Sequence, residues 1–211
     1  KRSSSPITDY YGKSYTQSEC LESLINFPLN YEVLDEAAFL DKVAQYIAKD
    51  HIVGWFQNRS EFGPRALGNR SIFANPASKN VKYYLDLSMK SRDLYRPYAP
   101  VIIEEFASDH FDLTGPSPVM MRNSKVLNCK LDAIIHKDGC ARVQTVTKEY
   151  NPNLYNLLIQ VREKTGFPIL LNTSFNLPGE PIVETPSDAL ASFTKGTLDI
   201  LCLGNIIVQR P

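Results

Sequence analysis

Three arginines and two glycines are concentrated in residues 58–71, NRSEFGPRALGNRS, directly after an apolar segment. Guanidinium groups form paired hydrogen bonds with phosphate oxygens, and glycine lets backbone amides approach an anion. The positions of Arg59, Arg65 and Arg70 therefore favour a phosphate-binding loop. The alternative is a surface network in which Arg65 pairs with an acid such as Glu61. The segment is not a P-loop, because GxxxxGK[ST] does not occur in the sequence.

A second cationic group lies in residues 89–100, MKSRDLYRPYAP, where Lys90, Arg92 and Arg96 fall close together. Lys90 and Arg96 can complete a cationic pocket, and the prolines that follow restrict the backbone that presents them. The alternative is a solvated charged face followed by an extended segment.

Polar residues also follow or interrupt two apolar strands. Arg142 comes just after the Asp-Gly turn of HKDGCARVQ, and an arginine between apolar neighbours needs a carboxylate or phosphate partner. Asn172 and Ser174 lie at the end of the strand in LLNTSFN, at the edge of an α/β sheet where ligands collect. Their amide and hydroxyl groups can hold ribose or phosphate oxygens, or they can serve in ordinary turns and caps.

Alternating strands and helices must position these residues. Helices are predicted after the capping box of Thr16 and Glu19, from Asp35 to Ala48, from Ser78 to Met89, from Asn151 to Gly166 and from Ser187 to Thr194. Strands are predicted at 31–34, 51–57, 71–74, 100–106, 167–175, 198–204 and 205–210, with a hairpin over 131–146 that turns at Asp138 and Gly139. The pattern indicates an α/β (mixed α+β) sheet layered with helices, and the hairpin argues against an all-parallel sheet.

Composition limits the classes of function. With 23 Lys and Arg residues against 23 Asp and Glu residues, no overall field attracts nucleic acid or an anionic membrane, so any anion site must be local. The apolar runs are too short for a membrane helix, and the N-terminus does not have the pattern of a signal peptide. The length fits one domain.

The four cysteines and three histidines form no metal-binding spacing. No CxxC pair occurs, which argues against a disulfide framework or structural zinc and favours a reducing cytoplasm. We expect structural roles for the histidines and no metal site built from protein side chains. The residues are Cys20, Cys129, Cys140, Cys202, His51, His110 and His136.

The first 15 residues, KRSSSPITDYYGKSY, are polar and rich in turn formers. They predict a linker or a cut end before a single domain over residues 16–211. We therefore expect the chain to be a piece of a longer protein.

Four motifs occur in the order GWFQNRSEFGPRALGNRSI, KSRDLYRPYAP, DGCARVQ and LNTSFNLPGEPIV. In this order they resemble the C-terminal domain of the O-carbamoyltransferases, a family that includes nodulation and antibiotic-carbamoylating enzymes. The resemblance covers about residues 50–208. The chain also resembles, more distantly, the YrdC-like fold, a twisted open sheet with flanking helices. Cys140 stands where the family often has threonine, which leaves the proposed ligands in place.

The resemblance implies that carbamoyl phosphate is converted to carbamate, whose carboxylate attacks the α-phosphorus of ATP to give carbamoyl-adenylate. Mg²⁺ is implied by the triphosphate and would be held mainly through phosphate oxygens and water. A separate N-terminal transferase domain of the same longer chain would then carbamoylate a small-molecule hydroxyl. Neither nucleic acid nor a membrane is an expected partner.

Site residues follow from the resemblance as well. The residues implied to hold the phosphates and carbamoyl phosphate are Arg65, Lys90 and Arg96. Those implied to hold the nucleotide are Arg142, Asn172 and Ser174.

Two other classes of function remain open. The chain can be a nucleotide- or phosphate-binding regulatory module without turnover. It can also be an RNA-binding YrdC-like module, because aromatic and basic residues interleave in KYYLDLSMKSRDLYRPY. The neutral overall charge argues against the RNA-binding alternative.

Overall fold

The computed structural model describes residues 9–90, 96–128 and 130–211. Within them, nine strands form one sheet: β1 (Asn30–Val33), β2 (Val53–Phe56), β3 (Arg70–Ala74), β4 (Ala99–Ile103), β5 (Arg122–Lys125), β6 (Cys140–Val146), β7 (Ile169–Ser174), β8 (Ile200–Leu203) and β9 (Ile206–Gln209). The helices are α1 (Gln17–Leu24), α2 (Glu36–Ala48), α3 (Val81–Tyr84), α4 (Ala107–His110), α5 (Pro152–Thr165) and α6 (Pro186–Lys195).

The strand order is β1-β9-β8-β2-β3-β7-β4-β6-β5. Strand β2 pairs in parallel with β8, and β4 pairs in parallel with β6. The remaining pairs are antiparallel, including both neighbours of the central strand β3. This mixed α/β sheet confirms the predicted fold class.

Local sequence determines where the longer helices begin and end. Thr16 and Glu19 form the predicted capping box of α1, and Asp35 accepts a hydrogen bond from the amide of Ala38 at the start of α2. Asn151 caps α5, which ends at Gly166 with φ 88°. Glycine adopts this left-handed conformation without a steric penalty, so the predicted helix stop is confirmed.

The core lies on both faces of the sheet. Helices α2 and α5 cover one face, where Phe39, Val43 and Leu157 pack with Trp55 of β2. Helices α1 and α6 lie over the other face, where Phe193 belongs to a second buried cluster. The segments that connect the strands at one end of these layers carry the polar residues of interest.

The hairpin predicted over 131–146 is wrong in its first half. Strand β6 begins at Cys140, but its antiparallel partner is the earlier strand β5, and its other edge pairs with β4. Residues Asp132–Ile134 form a 3₁₀ turn instead. Leu131, Ala133 and Ile134 bury their side chains in the core from this turn, which an extended alternating strand would not allow.

The helix predicted from Ser78 to Met89 is also shorter and less regular than expected. Helix α3 begins at Val81, and the backbone continues as a π-helix over Leu85–Lys90. Leu85 and Met89 are both buried in the core. Lys90, one of the predicted site residues, is the last residue of this π-helix.

The described part of the predicted linker packs against the domain. The Gly12 amide donates to the Ser60 carbonyl at 3.0 Å, and the Tyr10 hydroxyl donates to the Leu67 carbonyl at 2.9 Å. The Tyr150 hydroxyl donates to Asp9 at 2.9 Å. Residues 9–12 therefore contribute contacts to the domain, while the domain boundary at residue 16 stays a prediction.

Across the described ranges, Cys20, Cys140 and Cys202 are unpaired. The same ranges contain no group of three or more His, Cys, Asp or Glu side chains arranged to hold a metal ion. None of the described helices combines the length and apolarity required to cross a bilayer.

Candidate functional site

The β2–β3 loop (residues 57–69) folds around one carboxylate. Glu61 Oε1 accepts hydrogen bonds from the amides of Leu67 at 2.7 Å, Asn69 at 2.7 Å and Arg70 at 3.2 Å. Burial raises the pKa of the Glu61 carboxyl, and these amide donors act in the opposite direction by favouring its charged form. The loop therefore has a polar centre that replaces regular backbone pairing.

Side chains from two neighbouring strands fix the same loop. Gln144 Nε2 on β6 donates to the Leu67 carbonyl at 2.8 Å. Asn172 Nδ2 on β7 donates to the Ala66 carbonyl at 3.2 Å and to Gln144 Oε1 at 2.7 Å. The backbone on the C-terminal side of Arg65 is thus attached to β6 and β7, the strands that carry three other predicted site residues, Arg142, Asn172 and Ser174.

Gly68 permits close packing between this loop and α5. Its φ is 103°, and a Cβ at this position would lie 2.4 Å from Leu154 Cδ2. Nearby, Asn151, which caps α5, donates from Nδ2 to Asn69 Oδ1 at 3.1 Å. Both steric and hydrogen-bonding constraints therefore hold the loop against the helix.

The three loop arginines have different environments. Arg70 is fully buried, donates to the carbonyls of Gln57 and Asn58, and places its guanidinium carbon 3.6 Å from the centroid of the Phe56 ring. Arg59 donates to the Gly12 carbonyl at 2.8 Å. Arg65 is exposed and makes no hydrogen bond or ion pair with the described residues.

A cavity of about 440 Å³ brings together two of the predicted arginines. Its polar lining includes Arg96, Asn123, His136, Asp138, Cys140 and Arg142. Arg96 and Arg142 are exposed and have no hydrogen-bonding or ionic partner among the described residues. Guanidinium groups that lack a protein partner and face one cavity are suited to an anionic ligand.

Arg65 lies close enough to this cavity to influence Arg142. The pKa of the Arg142 guanidinium is lowered first by partial desolvation and then by the positive charge of Arg65. Both groups remain protonated, as arginine does under all ordinary conditions. The repulsion shows that the charges of Arg65 and Arg142 lie close together, and Arg96 lines the same cavity as Arg142, so an anion there would meet concentrated positive charge.

Lys90 and Ser174 form a second part of the site at the end of β7. Lys90 Nζ donates to the Ser174 carbonyl at 2.7 Å, to Ser174 Oγ at 3.3 Å and to Asn176 Oδ1 at 2.8 Å. Asn172 and Ser174 are two residues apart on one strand and therefore share a face of the sheet. The structure brings Lys90 to Ser174, and their contact with a ligand stays a prediction.

Asn172 is deeper than the sequence indicates, at 2% exposure. Its amide nitrogen donates hydrogen bonds to the Ala66 carbonyl and to Gln144 Oε1. Its Oδ1 has no hydrogen-bond partner among the described residues. Burying an acceptor without a partner is costly. A donor from a ligand would satisfy this atom.

Sequence reasoning missed two residues that support the site. The sequence indicates only a possible pairing of Glu61 with Arg65, whereas the carboxylate binds backbone amides instead. Gln144 lies in the motif DGCARVQ, and the sequence assigns it no role. A buried amide in a strand of apolar neighbours requires a specific partner, and that feature would have identified Gln144. Arg92 and Tyr95 of the second cluster lie outside the described residues.

The fold and the site define a mixed α/β domain with a cavity that Arg96 and Arg142 line. Residues 44–210 match the family model described as "Carbamoyltransferase C-terminus", and the chain belongs to this family. The expectations for both family and fold class are thereby confirmed.

Several longer proteins are similar to this chain. It is 40% identical over 210 residues to the nodulation protein NolO of Bradyrhizobium diazoefficiens, covering 95% of this chain and 38% of NolO. It is 36% identical to nodulation protein U of Rhizobium tropici, covering 80% of this chain and 29% of that protein. The chain is also 37% identical to an uncharacterized protein of Synechocystis, sll1178, and this match covers 95% of this chain and 37% of sll1178. The chain thus spans less than two fifths of each of these relatives.

One solved structure shares the fold. The crystal structure of full-length HypF in its phosphate- and nucleotide-bound form aligns with a TM-score of 0.58. The alignment covers 86% of this chain and 23% of HypF, at 19% sequence identity. At this identity the likeness shows the fold alone.

Proposed function

We propose that this chain forms carbamoyl-adenylate from carbamoyl phosphate and ATP, as the C-terminal part of an O-carbamoyltransferase that modifies a small-molecule hydroxyl. Arg65, Arg96 and Arg142 carry the proposal: Arg96 and Arg142 line one cavity and have no ionic partner among the described residues, and the positive charge of Arg65 reaches Arg142. Membership of the carbamoyltransferase family supports the choice of carbamoyl chemistry. The transfer to the final acceptor is assigned to an N-terminal domain of the longer protein.

The proposed reaction has two steps. Water first hydrolyses carbamoyl phosphate to carbamate and phosphate. An oxygen of the carbamate carboxylate then bonds to the α-phosphorus of ATP, and the bond to the β-phosphate bridging oxygen breaks, so that pyrophosphate leaves with that electron pair. Both steps move negative charge onto phosphate oxygens, which fixed guanidinium groups stabilise.

The site residues divide into two groups in this proposal. Arg65, Lys90 and Arg96 hold carbamoyl phosphate and the transferring phosphates, whereas Arg142, Asn172 and Ser174 hold the nucleotide. The concentration of arginine charge fits the phosphates of ATP. HypF, whose structure shares this fold, was crystallised in a phosphate- and nucleotide-bound form, which is in keeping with this choice. Mg²⁺ would accompany the triphosphate, with phosphate oxygens and water as its main ligands.

Unpaired cysteines support a reducing location. Cys20 and Cys202 are buried thiols, and Cys140 is partly exposed without a disulfide partner. A cytoplasmic location is therefore part of the proposal. Residues 1–15 are proposed to be a linker or a cut end, and residues 16–211 the adenylate-forming domain.

The test is pyrophosphate release from the purified chain supplied with ATP, Mg²⁺ and carbamoyl phosphate, with mass detection of carbamoyl-adenylate. We expect release that requires carbamoyl phosphate and falls at least tenfold in Arg65→Ala and Arg142→Ala, corresponding to about 1.4 kcal/mol of lost transition-state stabilisation or more. Arg162→Ala is the matched control, because Arg162 is an exposed arginine on α5 that packs over Phe106.

Two results would contradict the proposal. ATP binding without release would identify a binding module that lacks turnover by itself. Equal losses in Arg142→Ala and Arg162→Ala would show that the cavity arginines have no special part in the reaction. Proteins that retain the wild-type thermal transition provide the valid comparison.

A further inference from the structure

A histidine–aspartate pair lines the same cavity as Arg96 and Arg142. His136 Nδ1 lies 3.1 Å from Asp138 Oδ1, and both residues belong to the cavity wall. A carboxylate at this distance accepts the Nδ1 hydrogen and thereby fixes the ring orientation. The other ring nitrogen, Nε2, has no hydrogen-bond partner among the described residues.

The turn that carries this pair is held by short-range hydrogen bonds. The His136 amide donates to the Cys140 carbonyl at 2.8 Å, and the Gly139 amide donates to the His136 carbonyl at 2.8 Å. Asp138 Oδ1 also accepts from the Cys140 amide at 2.9 Å. The imidazole is therefore presented by a closed turn, and its position is defined before any ligand binds.

The other ionisable groups around His136 keep one charge state near neutral pH. Hydrogen bonds, first from the Cys140 amide and then from His136, lower the pKa of Asp138, so this carboxyl is ionised. Desolvation and the neighbouring Asp138 charge raise the pKa of the Cys140 thiol, so it is neutral. The basic side chains nearby are those of Arg96 and Arg142 in the same cavity wall, Lys137 within the turn, and Lys125, which lies opposite Cys140 in the pairing of β5 with β6.

Histidine is the side chain whose ordinary titration falls near neutral pH. Among the described residues that line the cavity, His136 is the one side chain of this type. The sequence had indicated only a structural role for this histidine.

We propose that His136, oriented by Asp138, is a further anion-contacting residue, whose imidazolium adds a proton-dependent positive charge to the fixed charges of Arg96 and Arg142. The inference rests on the proposed function, in which this cavity receives a phosphate ligand. It goes beyond that function by assigning a pH-sensitive contact to a residue outside the implied ligand set.

The direction of the effect follows from linkage. An anion that contacts the protonated ring binds more tightly at low pH, and it must in turn raise the pKa of that ring. As pH rises through the imidazole titration, the extra charge disappears and affinity falls. For a half-exposed charge contact we expect a decrease of about fivefold.

Sulfate is a suitable probe, because it stays a dianion across the range from about pH 5.5 to about pH 8.5 in which histidine titrates. Sulfate is titrated into the purified chain at several pH values, and the histidine ring signals are followed by ¹H–¹³C NMR. The chain contains 3 histidines, so His136→Gln assigns the relevant signal directly.

His51→Gln is the matched control. His51 Nδ1 lies 3.8 Å from Asp199, and its side chain is 41% exposed, close to the 46% of His136. The pair of His51 and Asp199 thus resembles the cavity pair in chemistry and exposure, but it does not line the cavity. The remaining ring signals report whether each variant is folded.

We expect sulfate to raise the titration midpoint of His136 and to bind about fivefold more weakly above that midpoint than below it. His51→Gln should retain both effects, and His136→Gln should remove the pH dependence. Equal pH dependence in wild type and His136→Gln, or a His136 midpoint unaffected by bound sulfate, would overturn the inference.

The outcome separates this inference from the proposed reaction. Absence of sulfate binding at every pH, in wild type as in Arg142→Ala, would overturn the anion site and this inference with it. Sulfate binding that depends on both Arg142 and His136, in a chain that makes no carbamoyl-adenylate, would support the inference while contradicting the proposed reaction.

Discussion

The β2–β3 loop and the turn at residues 136–139 contribute to one site but are built differently. The loop has a buried carboxylate at its centre, and side chains from β6 and β7 bind its carbonyls. The turn is held by its own backbone and by Asp138, which is 63% exposed. The loop presents the fixed charge of Arg65, whereas the turn presents a histidine.

This difference separates two tasks in binding an anion. A permanent charge is most useful when its position is fixed before the ligand arrives, and that requires a loop with few alternative conformations. A titratable charge must remain in contact with water to exchange its proton. Substitutions in the loop should therefore affect stability much more than substitutions in the turn.

The largest expected effect is that of Glu61→Ala, which removes the acceptor for three backbone amides. Unsatisfied buried donors cost about 1–3 kcal/mol each, so we expect a loss of roughly 3 kcal/mol in the free energy of unfolding. Denaturant unfolding measures the loss, and hydrogen exchange at the Leu67 and Asn69 amides locates it.

Phe62→Ala is the control for that change, because the Phe62 side chain is 79% exposed on the same loop. Glu61→Gln should retain part of the stability, since its amide oxygen still accepts a hydrogen bond. If Glu61→Ala unfolds at the same denaturant concentration as Phe62→Ala, the carboxylate does not organise the loop.

A smaller effect is expected when Gly68→Ala is compared with Gly63→Ala. Both glycines have positive φ, 103° and 116°, but a Cβ at Gly68 meets Leu154, whereas a Cβ at Gly63 has no neighbour within 4 Å. The backbone penalty is common to both. The excess loss in Gly68→Ala, about 1–3 kcal/mol, should report the overpacking against α5.

Thermal unfolding of these two variants under one set of conditions checks the difference. Equal transition temperatures would mean that α5 yields to the additional methyl group. The loop would then be less tightly held than the contacts of Gly68 indicate.

The smallest effect is expected for Asp138→Asn in the turn. The pKa of Asp138 is lowered by the Cys140 amide and by His136. A carboxyl whose pKa is lowered by folding stabilises the protein above its unfolded pKa, and that contribution is lost as pH falls through the folded pKa. Wild type should therefore be slightly more stable than the variant at neutral pH, and the two should converge below about pH 4.

The check is the transition temperature of both proteins as a function of pH. A difference that persists or grows in acid would have the wrong sign for this carboxylate. Such a difference would mean that the substitution changes the geometry of the turn. We do not expect this change, because the asparagine oxygen can still accept the hydrogen bond from the Cys140 amide.

Much of the fold could be predicted from local features of the sequence. Capping residues and the spacing of apolar side chains located α1, α2 and α5, because these signals act within a few residues. The partner of β6 could not be located in this way. Strand β6 pairs with β5 and not with residues 131–135, because Leu131 and Ile134 fill the core instead. How they fill the core is a property of the whole fold.

The candidate site shows the same limit. Residue type and loop composition alone group Arg65 with Arg70, although Arg70 bonds buried carbonyls beneath the loop. Gln144 and Asn172 meet although they are 28 residues apart in sequence. A contact of this kind depends on strand order, so spacing along the chain does not reveal it.

The parallel pairing of β2 with β8 has a consequence for how the chain folds. Gly54 lies opposite Leu201 in this pair, and the Gln57 side chain bonds the Gly204 carbonyl across 147 positions of sequence. Contacts between such distant segments form slowly, because a long loop must close before they contribute any stability. One edge of β2 therefore stays unpaired until β8 is synthesised and docked. Completion of the sheet should be a late event in folding, and a chaperone that shields this edge would favour the correct product.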